Sequence, residues 1–600
     1  MTQTAPKHKD AAALRLAALR SELERLELTG FVIPHSDEYQ NEFLPPYAER
    51  LAWLTGFTGS AGHAIVLKDK AAMFTDSRYT IQVRDQVDGA LYEFVDVMED
   101  PGPGFLGQNL SKGDRLGYDP KLHTVMGAKR LRAACEAAKA ELVPVDANPL
   151  DAVWTDQPAP PKAPAVPHPI DYAGEESEAK RARLAARLTD QGLDAAVITL
   201  TDSIAWLFNI RGGDVSHSPL VLSSALLHAD GHAELFIDPD KASPELDAHL
   251  GNQVTRSDES VLPKAIKELK KKTVLLDPAA SSDWVRMRLE KAGAEIRLGD
   301  DPVQWPKAIK NAIEVEGMRR AHLRDGAVLT RFLRWVKTRA VLEGANELSA
   351  ATRLSSMRAE TGLLKDLSFD VISAAGPNAA LPHYRVTEKS RRPLASGEIY
   401  LVDSGGQYLD GTTDVTRTVI LGDPTPEMKD RFTRVLKGHI GIAMARFPRG
   451  TSGARIDVLA RSALWAAGLD YGHGTGHGVG AYLGVHEGPC GISSRAVTPL
   501  EPGMIVSNEP GYYKEGAYGI RIENLVVVSP PAEMGGDQPM LGFENLTFAP
   551  IDPDLIEAGL LTQDERAYLN AYHAETLAKI GPLLEDEEDR AWLEAQCAPV

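Results

Sequence analysis

The sequence predicts a chain of mixed α/β and α+β class in three domains, two related α/β domains first and a mixed α and β domain behind them. Three observations lead there. Helix-period and strand-period apolar segments alternate through roughly the first half of the chain. The triplet Ala52-Trp53-Leu54 returns as Ala205-Trp206-Leu207 in a similar helix–strand setting. Finally, 600 residues are too many for one ordinary core.

From Asp10 to Leu28 the leucines 14, 16, 19, 23 and 26 recur at near-helical spacing and predict an amphipathic helix. A strand follows at Gly30 to Pro34, then the stretch LAWLTGFTGSAGHAIVLKDKAAMFTDSRYTIQ. The segment QPAPPKAPAVPHP reads as an extended, semi-rigid linker. A second copy begins near Glu176, with the helix SEAKRARLAARLTDQG, the strand DAAVITL and then IAWLFNIRGGD. The expected boundaries are 1–156, a linker at 157–169, 170–306, and 307–600. In the third domain Leu329, Phe332, Leu333 and Val336 mark an amphipathic helix. The tail from Thr562 is helical in pattern, and its acidic run EDEEDR reads as a solvated face.

With 43% hydrophobic and 25% charged residues, the composition is that of a soluble globular protein. The balance of 65 Lys+Arg against 84 Asp+Glu, formally −19, argues against nucleic acid or an anionic membrane as a main partner. No apolar run approaches the roughly 18–20 residues that span a bilayer, and the N-terminal residues lack a signal-peptide apolar region. A cytoplasmic location is expected. Three distant cysteines, Cys135, Cys490 and Cys597, fit a reducing compartment and form no disulfide or zinc framework. Cys490, in HEGPCG, is read as a small structural residue and not as a nucleophile.

The chemistry concentrates between Ile399 and Val528. In YLVDSGGQYLDGTTDVTRTVIL, two strand-like runs flank Asp410-Gly411, a pair suited to a tight hairpin turn, so Asp403 and Asp414 are expected to face each other on neighbouring strands. His477 lies in YGHGTGHGVG, where five glycines from Gly472 to Gly480 exclude a regular helix and permit close approach of backbone to a ligand. Glu509 ends the run Met504-Ile505-Val506, and Glu523 lies in the strand-like GIRIENLVVV. Four carboxylates and one neutral imidazole balance two divalent cations, and burying such a set without cations would be costly. Oxygen-rich donors with a single nitrogen suit manganese. Two such ions roughly 3.5–4 Å apart activate a bridging water and polarise a scissile carbonyl, which is amide hydrolysis without a protein nucleophile. The GxG pattern of GHGTGHG lacks the Lys-Ser/Thr ending of a phosphate loop.

The segments LVDSGGQYLDGTTDVTRT, YGHGTGHGVG, VHEGPCGIS, SNEPGYY and GIRIEN resemble the signature segments of the aminopeptidase P (Xaa-Pro aminopeptidase) family in its long three-domain form, within the "pita-bread" metallopeptidases. The resemblance runs through nearly the whole chain. It implies two creatinase-like N-terminal domains and a pita-bread catalytic domain with a curved, mainly antiparallel sheet. It further implies that Asp403, Asp414 and Glu523 hold one metal, while Asp414, His477, Glu509 and Glu523 hold the other. Glu509 is then also the general base and proton shuttle. His383 and His486 would line the substrate pocket and stabilise the tetrahedral intermediate, and Arg78, in TDSRY, would contact bound peptide across a subunit boundary. His473 is expected to support the loop holding His477 or touch substrate. Arg521, two residues before Glu523, points to the same strand face and would orient ligands or substrate. The expected activity is release of the first residue from peptides with proline in second position, by a homodimer. Rival readings are a prolidase cutting X-Pro dipeptides, a methionine aminopeptidase, and a catalytically dead pita-bread binding module. Retention of all five ligands argues against the last.

Overall fold

The computed structural model describes residues 5–600. It contains two compact units, one of the residues up to Pro169 with Glu175–Gln304, the other of Ile170–Gly174 with Trp305–Val600.

The first unit is built on a repeat. One six-stranded sheet runs, in spatial order, through Glu93–Asp96, Ala71–Thr75, His63–Leu67, Gly30–Pro34, Arg115–Tyr118 and Glu141–Pro144. The other runs through Val254–Ser257, Ala233–Phe236, Ser224–His228, Ala195–Ile198, Thr273–Leu276 and Glu295–Leu298. In both, successive pairs are parallel, antiparallel, antiparallel, parallel and parallel. The repeated Ala-Trp-Leu triplet lies in the helix after the first strand of each sheet, Arg50–Thr55 and Thr201–Phe208. The first helix, Ala5–Arg25, buries Leu16, Leu19 and Leu23, but Leu14 is 72% exposed because it falls off that stripe. The proline-rich segment is extended, and Val166–Pro167 pairs antiparallel with Ile210–Arg211.

The second unit is a set of antiparallel sheets with helices. Ile372–Ala375, Glu398–Ser404 and Val415–Leu421 form one sheet. Glu487–Ile492, Gly476–Gly478, Ile505–Asn508, Asn524–Val528 and Phe543–Asn545 form another. Gly511–Lys514 and Tyr518–Arg521 make a hairpin. The helix Ala312–Trp335 starts on an Asn311 capping box with Glu314 and buries Leu329, Phe332 and Leu333 at 1% exposure or less. Each of these side chains contributes about 1.5–3 kcal/mol by burial.

Two sequence expectations shift here. The tight turn falls on Leu409-Asp410, since Tyr408 pairs with Gly411. Gly411 is needed because a Cβ there would sit 2.8 Å from Met318 Sδ on the long helix, not because the turn requires its backbone freedom. The acidic run is a solvated face at Glu585, Asp586, Glu587 and Glu588 as expected, but Asp589 turns inward, buried and ion-paired with Arg334 at 2.8 Å, and Glu588 also pairs with Arg334. Among the described residues no helix is long and apolar enough to cross a membrane.

Candidate metal centre

Strand pairing sets the first two carboxylates. Asp403 is the penultimate residue of Glu398–Ser404 and pairs with Thr416, and Ser404 pairs with Val415. Asp414 comes just before that strand, two positions from the residue that pairs with Asp403, so the two acids lie on neighbouring strands diagonally to each other. Glu523 links the Tyr518–Arg521 and Asn524–Val528 strands, and Glu509 follows Ile505–Asn508. His477 is the middle residue of the short strand Gly476–Gly478. That strand depends on missing side chains: a Cβ on Gly476 would lie 1.9 Å from the Ser507 carbonyl oxygen, and one on Gly478 2.1 Å from that of Glu487. Both glycines serve close backbone approach.

These elements bring the five predicted ligand residues into one electrostatic group. Asp414, His477 and Glu523 offer ligand atoms all within 4.8 Å of one another. His477 Nδ1 donates to the Gly478 carbonyl at 2.9 Å, which leaves Nε2 facing Asp414 Oδ2 and Glu509 Oε1, each at 3.5 Å. Burial would lower the His477 pKa, but the Asp414 and Glu509 carboxylates drive it up to about 9. Burial first, then the neighbouring acids, push Asp403 up to about 7 and Glu523 well above the usual carboxylate range; Glu509 is also raised, with burial the main cause. Asp403 Oδ1, Asp414 Oδ1 and Glu523 Oε1 are buried and have no hydrogen-bond partner among the described residues. Buried carboxylate oxygens without partners in one cluster of acids are unfavourable unless a cation takes their lone pairs, so the donor set fits divalent metal.

The other oxygens are held. Arg521 Nη2 donates to Asp403 Oδ2 at 2.6 Å, and the Thr416 hydroxyl donates to Glu523 Oε2 at 2.7 Å. Arg521 Nε also reaches Thr416 Oγ1 at 3.1 Å, and its Nη1 donates to the Tyr513 hydroxyl at 2.6 Å. Tyr513 in turn meets His473 Nε2 at 2.8 Å, while His473 Nδ1 donates to the Gly474 carbonyl. His473 thus sits at the far end of a chain that leads through Tyr513 and Arg521 to Asp403. The exposed His486 places its ring edge-on to His477, with centroids 4.4 Å apart. His383 is half-buried in the loop after the turn Gly376–Ala380, which packs against Gly519 through the Ala379 carbonyl. Arg78 belongs to the first unit, where it forms a two-pronged pair with Asp76 at 2.6 and 2.9 Å. Cys490 is buried, and burial pushes its thiol up to about 11, which suits packing and not nucleophilic attack.

Sequence reading missed Thr416 and Tyr513. The signal for Thr416 was its spacing, two residues after Asp414 along one strand face. For Tyr513 there was none.

Comparison with known proteins supplies independent findings. Residues 316–530 match metallopeptidase family M24, and residues 539–600 match the C-terminal region of that peptidase. Residues 15–153 and 156–314 each match the creatinase/prolidase N-terminal domain. A probable Xaa-Pro aminopeptidase P of Aspergillus fumigatus is 40% identical over 609 residues, covering 98% of this chain and 92% of the relative. The crystal structure of an X-prolyl aminopeptidase of Caenorhabditis elegans, described as a cytosolic enzyme with a di-nuclear active site, superposes with a TM-score of 0.94 at 35% identity. It covers 98% of this chain and all of the other. A Xaa-Pro dipeptidase from Bacillus anthracis shares the fold at 24% identity and a TM-score of 0.52, covering 63% of this chain and 99% of its own.

Proposed function

The chain belongs to the Xaa-Pro aminopeptidase P family of M24 metallopeptidases, and on that premise we propose that it releases the N-terminal residue from peptides whose second residue is proline. Asp403, Asp414, His477, Glu509 and Glu523 would hold two divalent metal ions. The observation that carries this reading is the set of three buried carboxylate oxygens, without partners among the described residues, in the same cluster as an imidazole whose Nδ1 is held by the Gly478 carbonyl. Four acids and one nitrogen favour manganese over softer ions. Bound there, the cations supply a water of lowered pKa and an electrophile for the scissile carbonyl.

The chain's own residues do the rest. Arg521 and Thr416 each occupy one oxygen of a ligand carboxylate and leave the other free to point inward. Glu509 takes the proton that the attacking water loses and returns it to the proline nitrogen. That nitrogen has no hydrogen of its own in the amide and must be protonated to leave. His486, exposed beside His477, and His383 in its half-buried loop contact the peptide and the developing oxyanion. Arg78 contacts substrate from a second subunit. Dimerisation is supported by the helix Gly453–Trp465, which leaves Trp465 48% and Val458 42% exposed. A cytoplasmic location is supported by three free cysteines, all buried.

The test is hydrolysis of X-Pro-Pro, X-Pro and Met-Ala-Ser peptides by metal-stripped protein before and after manganese is added. Metal-dependent release of the first residue from X-Pro-Pro alone is expected. Preference for the dipeptide would convert the reading to prolidase. Absence of any cleavage with metal bound would convert it to a binding role.

A further inference from the structure

A second buried network lies behind the metal centre. Asp325, on the helix Ala312–Trp335, is 2% exposed, and Arg358, on the helix Glu347–Ala359, is fully buried. The guanidinium grips the carboxylate with two prongs, Nε to Oδ1 at 2.6 Å and Nη2 to Oδ2 at 2.9 Å. Nη2 also donates to the Ser404 hydroxyl at 3.0 Å. The remaining acceptor capacity of Asp325 is taken by the Tyr408 hydroxyl on Oδ1 and the Thr413 hydroxyl on Oδ2, both at 3.0 Å. The Thr413 hydroxyl accepts from the Gly406 amide at 2.9 Å, and Ser368 Oγ donates to the Thr413 carbonyl at 2.8 Å.

The sequence positions matter. Ser404 follows Asp403, and Thr413 precedes Asp414. The ladder between their strands ends on the Ser404–Val415 pair, after which the chain leaves through the hairpin built on Gly406–Tyr408 and Gly411–Thr412. Regular pairing is interrupted at Asp414 and resumes at Thr413, whose amide donates to the Gly406 carbonyl at 2.9 Å, and the Thr413 hydroxyl adds a side-chain tie from this interruption to Asp325. In a dry interior, charge-assisted bonds of this kind are strong and directional.

We infer that the Asp325–Arg358 pair is a positioning element for the metal centre. Acting through the Ser404 and Thr413 hydroxyls, it fixes the separation of the Asp403 and Asp414 carboxylates and so sets how tightly the weaker-bound cation is held. This rests on the proposed ligand set.

Breaking the ion pair itself would leave a buried charge and endanger the fold, so the test removes single hydroxyls. Metal-free wild type, Thr413→Val, Thr413→Ser, Ser404→Ala and Asp414→Asn proteins are titrated with Mn(II) by calorimetry, with thermal melts of each metal-free protein. For Thr413→Val, the dissociation constant of the weaker ion should rise about tenfold or more, the usual effect of losing a partner of a metal ligand. Thr413→Ser should restore wild-type binding, and Ser404→Ala should weaken it in the same sense, with only small changes in melting temperature. Unchanged binding by Thr413→Val and Ser404→Ala, while Asp414→Asn loses metal, would overturn the inference and leave the ligand set standing. Equal weakening by Thr413→Val and Thr413→Ser, in step with lost thermal stability, would reduce the network to a fold-stabilising role. Binding of two ions by Asp414→Asn with wild-type affinity would overturn the ligand set itself.

Discussion

Arg521 places one prong on Asp403 Oδ2 at 2.6 Å, while Oδ1 of the same carboxylate is buried with no partner among the described residues. One carboxylate of the proposed ligand set is thus half satisfied by a permanent cation and half reserved. Lysine would keep the charge but lose the fork that also reaches Thr416 and Tyr513. Arg521→Lys should weaken metal binding by about 10–100-fold and lower kcat by a similar factor. Metal titration of stripped protein beside steady-state kinetics checks both.

Stripping the metal leaves four acids around His477 and Arg521, with Asp403, Glu509 and Glu523 all raised by burial. Chelation should lower the melting temperature. In the stripped protein at neutral pH, Asp414→Asn should melt higher than wild type, because one like charge has gone. In the loaded protein the order should reverse. Differential scanning calorimetry with and without chelator reads the crossing.

Cys490 is 6% exposed and its thiol is pushed up to about 11, mainly by burial. Native protein should keep its activity and this thiol through treatment with iodoacetamide at pH 8, and the thiol should react once urea unfolds the chain. Mass spectrometry of the Cys490 peptide gives the answer.

His573 is fully buried, its Nε2 accepts from the Ile551 amide at 3.2 Å, and burial with Arg417 nearby lowers its pKa from 6.5 to about 4. A depressed histidine pKa means that, between those two values, the unfolded chain binds the extra proton. Stability is therefore complete above the unfolded pKa and falls as pH drops through the window. The loss from this residue approaches about 3 kcal/mol near pH 4. His573→Gln, which keeps an acceptor for Ile551, should flatten that slope in urea melts taken at pH 7 and pH 4.5.

Much of this was legible in the sequence because the signals were local. Acids and a histidine at the ends of apolar runs or among glycines have few structural reasons to be there, and Asp403, Asp414, His477, Glu509 and Glu523 converge accordingly. The N-terminal repeat was visible in one recurring triplet, whereas the shared strand order depends on crossovers that no local pattern encodes. The partners of these acids were illegible for the same reason. Arg521 lies 118 residues from Asp403, and Asp325 lies inside a helix whose pattern predicts only core, 33 residues from Arg358. The Asp-Gly pair misled because its glycine answers a neighbouring helix, not a turn.

The close approach at Gly476 and Gly478 also has a genetic side. Every amino acid reached from a glycine codon by one base change carries a Cβ, and at these two positions that atom would lie 1.9 and 2.1 Å from a carbonyl oxygen. The histidine strand therefore has no neutral missense neighbours at either flank: random mutagenesis should return these codons only as glycine synonyms.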